Sequence, residues 1–403
     1  LDPTFSAESA PVHLQAAQEF VDALLRPGDT RIVETSLGTM EWTWLEPLPI
    51  PVYYVTWITA YGDGFVAIGQ GEADRWTEET TLWASRDGVT WEPMAGPRNV
   101  TGMWNLQPFR DGLIGQAWDM ERSFLVHYDG SRWDELQLPS VESAPFLDVR
   151  YLATSGDTTL VVTVGWSEGY EAGPDAYQAW LIGPDNVPKQ ANLPIDFWQS
   201  EESIGLVGSD EGFLLATVQA GSPRSMKVWF SPDGYEWSEM AATTSIENAA
   251  YVWNLQRHND RYFVVGEGAE SNCSTTEDGY NVCQQLVGLW SSPDGADWER
   301  VFTASGEAVG AYEIGSGPLG LAAMAVDFYS DTQLPRPLYL SPDGSTWERA
   351  GNLAFMHPDA EWWWVSLPAV GTDTIVVPGS AFLPSLDTDD DIPFLIVGRV
   401  VDG

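Results

Sequence analysis

Lysine is almost missing from this 403-residue chain. Only Lys189 and Lys227 are present, and Lys plus Arg total 18 against 59 Asp plus Glu, a formal net charge of −41. A surface this acidic repels nucleic acid and anionic membranes, so neither is expected as a partner. Two explanations of the charge stay open: a self-repelling, solvated surface suited to a saline or extracellular setting, and a face that attracts a cation or a cationic partner. Cysteine is scarce as well. Cys273 and Cys283 fall in one Ser/Thr/Asn-rich insertion, which reads as a local loop disulfide and therefore as an oxidising, extracytoplasmic compartment. With no histidine pair nearby they make a poor zinc site. No apolar run approaches the roughly 18 residues of a membrane-spanning helix, and the opening residues have neither the basic region nor the apolar core of a secretory signal. Catalytic signatures are missing too. No HExxH, GxSxG, P-loop or dinucleotide fingerprint occurs, and His13, His127, His258 and His357 stand far apart in the chain.

What the chain has is repetition. WFSPDGYEW (Trp229 to Trp237) returns as WASRDGVTW (Trp83 to Trp91), WSSPDGADW (Trp290 to Trp298) and YLSPDGSTW (Tyr339 to Trp347), with a worn copy, VHYDGSRW, from Val126 to Trp133. Each reads as the end of one strand, a tight turn and the Trp that opens the next. Gly88, Gly234, Gly295 and Gly344 supply the positive φ such a turn needs. Asp87, Asp233, Asp294 and Asp343 can accept bonds from turn N–H groups, with the preceding Ser hydroxyl adding another.

A second signal precedes each turn: an inner strand, a short turn and an apolar strand. It is seen in TWITAYGDGFVAIG (Thr56 to Gly69), WNLQPFRDGLIGQ (Trp104 to Gln116) and WNLQRHNDRYFVVG (Trp253 to Gly266). Seven such inner hairpins can be counted, and outer hairpins follow six, one of them degenerate around Gly183-Pro184-Asp185-Asn186. The seventh lacks its outer strand, and Met40 to Leu45 at the other end of the chain has the right pattern to supply it. The spacing fits: Asp87 to Asp129 is 42 residues, Asp294 to Asp343 is 49, and Asp233 to Asp294 is 61 because the cysteine insertion lies between them. The expected fold is all-β, a seven-bladed β-propeller of four-stranded antiparallel blades whose last blade is closed by an N-terminal strand. Residues 1–30 are set apart from the propeller at 31–403. Leu14, Ala17, Val21, Leu24 and Leu25 form a helical stripe there, stopped by Pro27-Gly28.

The Ser-x-Asp-Gly-x-x-Trp turns resemble the Asp-box repeats of bacterial neuraminidases, one residue shorter between Asp and Trp, with only Thr90 and Thr346 keeping the usual Thr. The resemblance implies a propeller of the kind found in sialidases and many secreted bacterial proteins. It implies little about activity, because the boxes of that family are structural turns away from its catalytic centre. For a sialidase-like glycosidase the resemblance also implies an arginine triad, whose first member usually lies in Arg-Ile-Pro; the nearest match is Arg31-Ile32-Val33, without the proline.

Function is expected on the face that carries the longer loops. Trp76, Trp118, Trp166, Tyr170, Tyr329, Trp362 and Trp363 fall in or beside those loops among many acids, a composition suited to stacking on sugar rings and bonding their hydroxyls; taken singly, each reads more readily as packing. His357, Asp359 and Glu361 beside Trp362 form the most enzyme-like local cluster, against the plainer reading of a solvated crossover. Asp387, Asp389, Asp390 and Asp391 could hold calcium through oxygen ligands, but the run lacks the Gly and distal Glu of an EF-hand loop and reads more readily as a solvated charge run. The leading expectation is an exported, non-catalytic propeller that binds carbohydrate or a protein partner. A glycan-active hydrolase or lyase using loop carboxylates is the first alternative, and a structural part of a cell-envelope or appendage assembly the second.

Overall fold

The computed structural model describes residues 24–48, 50, 52, 54–71, 80–119, 121–139, 146–166, 176–194, 203–219, 225–240, 249–275, 281–302, 311–326, 336–383 and 391–401. They form seven sheets, antiparallel through their blade strands, which are the blades of a propeller. Blades 1 to 6 span residues 54–94, 102–136, 146–191, 203–239, 249–302 and 311–355, each with its four strands in chain order. Blade 7 begins at 362 and runs through Thr374–Phe382 and Asp391–Val400. Its fourth strand is Gly38–Leu45, with Met40 opposite Val400 and Leu45 opposite Leu395. The ring is therefore closed by the N-terminal strand, as the sequence predicts.

The first strand of every blade faces its counterparts around a central axis, and these inner strands contact each other in an unbroken cycle back to blade 1. The second strands are buried on both faces: Phe65 to Gln70 and Leu113 to Ala117 are covered throughout. This is why they read as continuous apolar runs, each being the middle of a sheet stacked between two others. The core accordingly lies between blades. Val66, Ile68 and Leu82 of blade 1 pack on Met103, Leu106 and Leu113 of blade 2. Phe65 and Ile58 meet Val376 and Val397 of blade 7 across the closure.

The repeated turns explain how the stack is held. In the first, Ser85 Oγ accepts the Gly88 N–H at 2.9 Å, while Asp87 Oδ1 accepts those of Val89 and Thr90 at 2.9 and 2.7 Å. The pattern repeats at Ser231–Asp233, Ser292–Asp294 and Ser341–Asp343. The glycine does more than turn the chain. A Cβ on Gly344 would sit 2.0 Å from the Phe263 ring of blade 5, and one on Gly88 would sit 2.8 Å from Val376 of blade 7. Each turn thus presses its outer hairpin onto the preceding blade. Trp91, Trp298 and Trp347 donate their indole N–H back to the glycine carbonyl of their own turn, whereas Trp133 and Trp237 reach the preceding blade at Ala95 and Asn192.

Three features were not foreseen. The helical stripe does not continue to Leu25: Leu24–Leu25 is a short strand that pairs in parallel with Ala354–Phe355 of blade 6, and the rest of the stripe lies outside the described residues. Leu25 is wholly buried, so tertiary packing overrides local helical periodicity there. Thr30–Thr35 adds a fifth strand outside Gly38–Leu45 in blade 7. The cysteine insertion is no loose loop but a continuation of the blade 5 hairpin, with Ser271 to Thr275 paired to Gln285 to Asn281.

Candidate functional site

The inner strands surround a channel with two unlike ends. At the end formed by the short inner turns, a cavity of about 520 Å³ is lined by Gly62, Thr154, Gly208, Gly317 and Thr372, among other residues. No Asp, Glu, Lys or Arg is among its described lining residues. At the end facing the longer loops, a cavity of about 410 Å³ is lined by Thr56, Asn105, Asn254 and Ser366 together with two charged residues, Arg150 and Glu313.

Local backbone irregularity concentrates at this second end. Register shifts interrupt the inner ladder between Val55 and Trp57, Trp104 and Gln107, Val149 and Tyr151, and Val252 and Asn254. Asn105 has a φ of 53°, unusual for a residue other than glycine. A bulge sets one residue out of the ladder and re-aims its side chain. Some of the resulting groups stitch blades together: Trp57 Nε1 donates to the Leu106 carbonyl at 2.9 Å and Gln107 Nε2 to that of Leu152 at 2.9 Å.

One set of side chains goes further than stitching. Arg150 occupies the bulge of blade 3, and its Nε lies 3.0 Å from Asp148 Oδ2, the Arg side chain remaining 43% exposed. The other oxygen of Asp148 accepts from Gln116 Nε2 and Ser123 Oγ of blade 2, each at 3.3 Å. Gln116 Oε1 in turn accepts the Trp104 indole N–H at 2.8 Å. Burial raises the Asp148 pKa, a shift opposed by Arg150 and Ser123. The chain from Trp104 to Arg150 therefore fixes a half-exposed indole (47%) and a cation at the channel mouth. An aromatic face beside a fixed guanidinium can hold a planar or anionic group.

Glu313 stands on the inner strand of blade 6. Its neighbour Ile314 is packed into the blade 5 interface, so alternation turns Glu313 toward blade 7. There the inner strand is interrupted between Trp362–Val365 and Ala369–Val370. Among the described residues no hydrogen bond or ion pair reaches the Glu313 carboxyl group, and burial alone pushes its pKa up to about 7.

The described residues among those expected from sequence lie away from this channel mouth. Trp363 is in the core, 4% exposed, against Trp44 and Phe394. Trp118 lies over Gly102, where a Cβ would be 1.8 Å from its ring, beside a tight turn closed by Asp119 rather than a long loop. The side chains of Trp166 and Trp362 lie outside the described set, as do residues Trp76, Tyr170, Tyr329, Asp387, Asp389 and Asp390; of Asp391 only the backbone is described, opposite Phe382. The enzyme-like cluster does not assemble. His357 is buried, with Nε2 3.1 Å from both Glu46 carboxylate oxygens and its ring against Trp44, while Asp359 and Glu361 are exposed. His127 packs on Phe109 and His258 contacts the Pro342 carbonyl. Among the described residues no group of three or more His, Cys, Asp or Glu side chains is placed to hold a metal ion. Arg31 is on the outermost strand of blade 7, four strands from the channel lining. Some of the channel-mouth residues had a signal in the sequence: Trp-Asn-Leu-Gln occurs in two inner strands only, at 104–107 and 253–256.

No protein-family model matches the chain, and no curated protein matches it. Solved structures do. The β-propeller domain of the trilobed protease from Pyrococcus furiosus, a domain of open velcro topology, superposes with a TM-score of 0.52 at 11% identity, over 87% of this chain and 95% of that one. The Pyrococcus horikoshii acylaminoacyl peptidase gives 0.52 at 9% identity, over 82% of this chain and 50% of that one. This chain thus spans half the length of that peptidase. At such identities the likeness is one of fold.

Proposed function

We propose that this chain is a non-catalytic recognition propeller that binds a polypeptide segment of a protein partner at the channel mouth facing its longer loops. The observation that carries the reading is the Trp104–Gln116–Asp148–Arg150 chain, which spans two blades and holds an indole and a guanidinium at the rim of a cavity. Mere blade stitching needs neither a half-exposed Trp nor a half-exposed Arg. Polypeptide is favoured over sugar because Arg150 and Glu313, on opposite sides of one channel, suit the charged and amide groups of a peptide, and because the two structures compared above belong to proteins that are named as a protease and a peptidase. The repeated turns, read as shortened Asp-boxes, belong to the scaffold.

The test is a peptide array and a glycan array, each probed with the wild-type protein, Trp104→Ala and Arg150→Ala, and each checked by mass spectrometry for cleavage. Peptide binding that falls about tenfold or more in both variants, at unchanged melting temperature, supports the reading. Binding to glycans alone would replace it with a lectin-like function. Cleavage of either array would move the chain to the enzymes.

A further inference from the structure

We infer that Glu313 is a receptor for one cationic group, an ammonium or guanidinium, which the bound ligand inserts into the channel from the long-loop side. The inference rests on the channel mouth being a binding site, and it names the chemistry of what enters.

The geometry around Glu313 is that of a built cradle. Two residues along the same strand, Gly315 lets the chain approach blade 7 so closely that a Cβ there would lie 1.8 Å from the Pro368 carbonyl oxygen. The strands are jammed together at that level, and Glu313 sits just beyond, where the blade 7 strand is broken and Ser366 N–H is turned to the Pro378 carbonyl. The side chain borders the open channel and so is not fully covered, yet protein surrounds it. A carboxylate so placed without a partner is costly. A structural role would supply a cation or several donors, and the described residues supply none.

The other charges near the channel do not fill the gap. Among the described lining residues Arg150 is the only other charged one; it is on blade 3, three blades away around a ring of seven, and is already paired with Asp148. Arg257, on the neighbouring inner strand of blade 5, lies toward the opposite end with Glu211 and Asp260. Blade 7 presents Ser366, Leu367 and Pro378. Asn254 and Gln256 of blade 5 carry neutral oxygens that already accept from Gln256 Nε2 and Ser316 Oγ, each keeping a second lone pair for an N–H group of a bound cation. Since only the carboxylate form attracts a cation, binding tightens as pH rises through about 7.

The experiment is an NMR titration of the Glu carboxyl carbons, with the Glu313 signal identified by backbone connectivity and by its loss in Glu313→Gln. It is run on the whole chain alone, then with n-butylammonium, butylguanidinium or neutral butyramide. The Glu313 midpoint should fall by about one pH unit or more with a cation and not with butyramide. Which cation is stronger separates an amino terminus or lysine from an arginine. A midpoint unmoved by both cations overturns the inference, and the wild-type titration decides this even if the Gln variant fails to fold. The two readings fail separately. Peptide binding that needs Trp104 with an unresponsive Glu313 leaves the channel-mouth site and removes this inference. A responsive Glu313 with peptide binding indifferent to Trp104 and Arg150 does the reverse.

Discussion

The outer hairpins and the inner strands of this propeller both recur around the ring but have been treated differently by the sequence. At the outer turns, four blades carry the same Ser, Asp, Gly and Trp, with the Ser and Asp bonds in the same geometry, and their glycines seat against Val376, Leu181, Leu214 and Phe263 of the preceding blades. At roughly one height in the channel wall, by contrast, the blades present Thr56, Asn105, Arg150, Gly205, Asn254, Glu313 and Ser366. Uniform residues at equivalent places solve one packing problem repeatedly. Dissimilar residues on a uniform backbone give the ring a distinct chemical direction at each blade. Repetition marks the scaffold here, and departure from repetition marks the site.

That contrast can be broken by experiment. The largest effect should follow removal of residues 1–48, which takes Met40, Trp42 and Trp44, all fully buried, out of blade 7. Losing one buried aromatic costs about 3–5 kcal/mol, so losing two of them together with Met40 is on the scale of the roughly 5–15 kcal/mol that holds a domain folded. Insoluble or unfolded protein is expected by circular dichroism, and a folded monomer would refute the closure.

Next comes Gly344→Ala, which meets both a positive φ of 77° and the Phe263 ring. A loss of about 3 kcal/mol or more is expected from the urea midpoint. Gly28→Ala, at a φ of 81° but with nothing within 4 Å, isolates the backbone part at about 1 kcal/mol. Peptide binding by the folded Gly344→Ala fraction should be unchanged. If binding is lost at unchanged stability, the two regions have been assigned the wrong way round.

Titration sharpens the same contrast, because the two regions shift carboxylates in opposite directions. Burial raises Glu313 from 4.5 to about 7, so its ionisation destabilises the fold progressively between those values. Glu313→Gln should therefore melt higher than wild type at pH 8, by at most about 3 kcal/mol, and match it at pH 4. Asp343 behaves oppositely. Bonds from the Ser345 hydroxyl and N–H lower it to about 2, so its contribution is present above 3.8 and is lost as pH falls toward 2. Asp343→Ala should cost about 1 kcal/mol at neutral pH and converge with wild type in strong acid. Thermal melts across pH would show both, and parallel pH profiles for the two variants would contradict the assignment.

How much of this was legible depended on whether a residue acts locally. The turns were, because Ser85, Asp87 and Gly88 bond within four residues of one another. Ring closure was also legible, since a missing outer strand at one end of the chain matched a spare strand at the other. Trp363 looked like a loop aromatic because nothing local reveals Trp44 and Phe394 around it. His357 looked catalytic beside Asp359 and Glu361, while its actual partner, Glu46, is remote in sequence. Glu313 gave no signal at all. Its character comes from what the ring leaves unpaired around it, which is a property of seven blades together.

The smallest effect belongs to the ribbon extending from blade 5. Its register sets Cys273 directly across from Cys283, and facing residues of an antiparallel pair stand about 4.5–5.5 Å apart at Cα, within the span of a disulfide. We propose that the two are joined in the oxidised protein. Thiol titration of the unreduced, denatured chain should find no free thiol, and finding two would end the proposal. Reduction should change the melting temperature little, because the bond closes a hairpin that the ladder has already closed, so the chain entropy removed is that of a short loop. Susceptibility of the ribbon to proteases should rise instead. A large drop in global stability on reduction would mean that the ribbon supports the blade stack, and blade 5 would then have to be counted with the scaffold along its whole length.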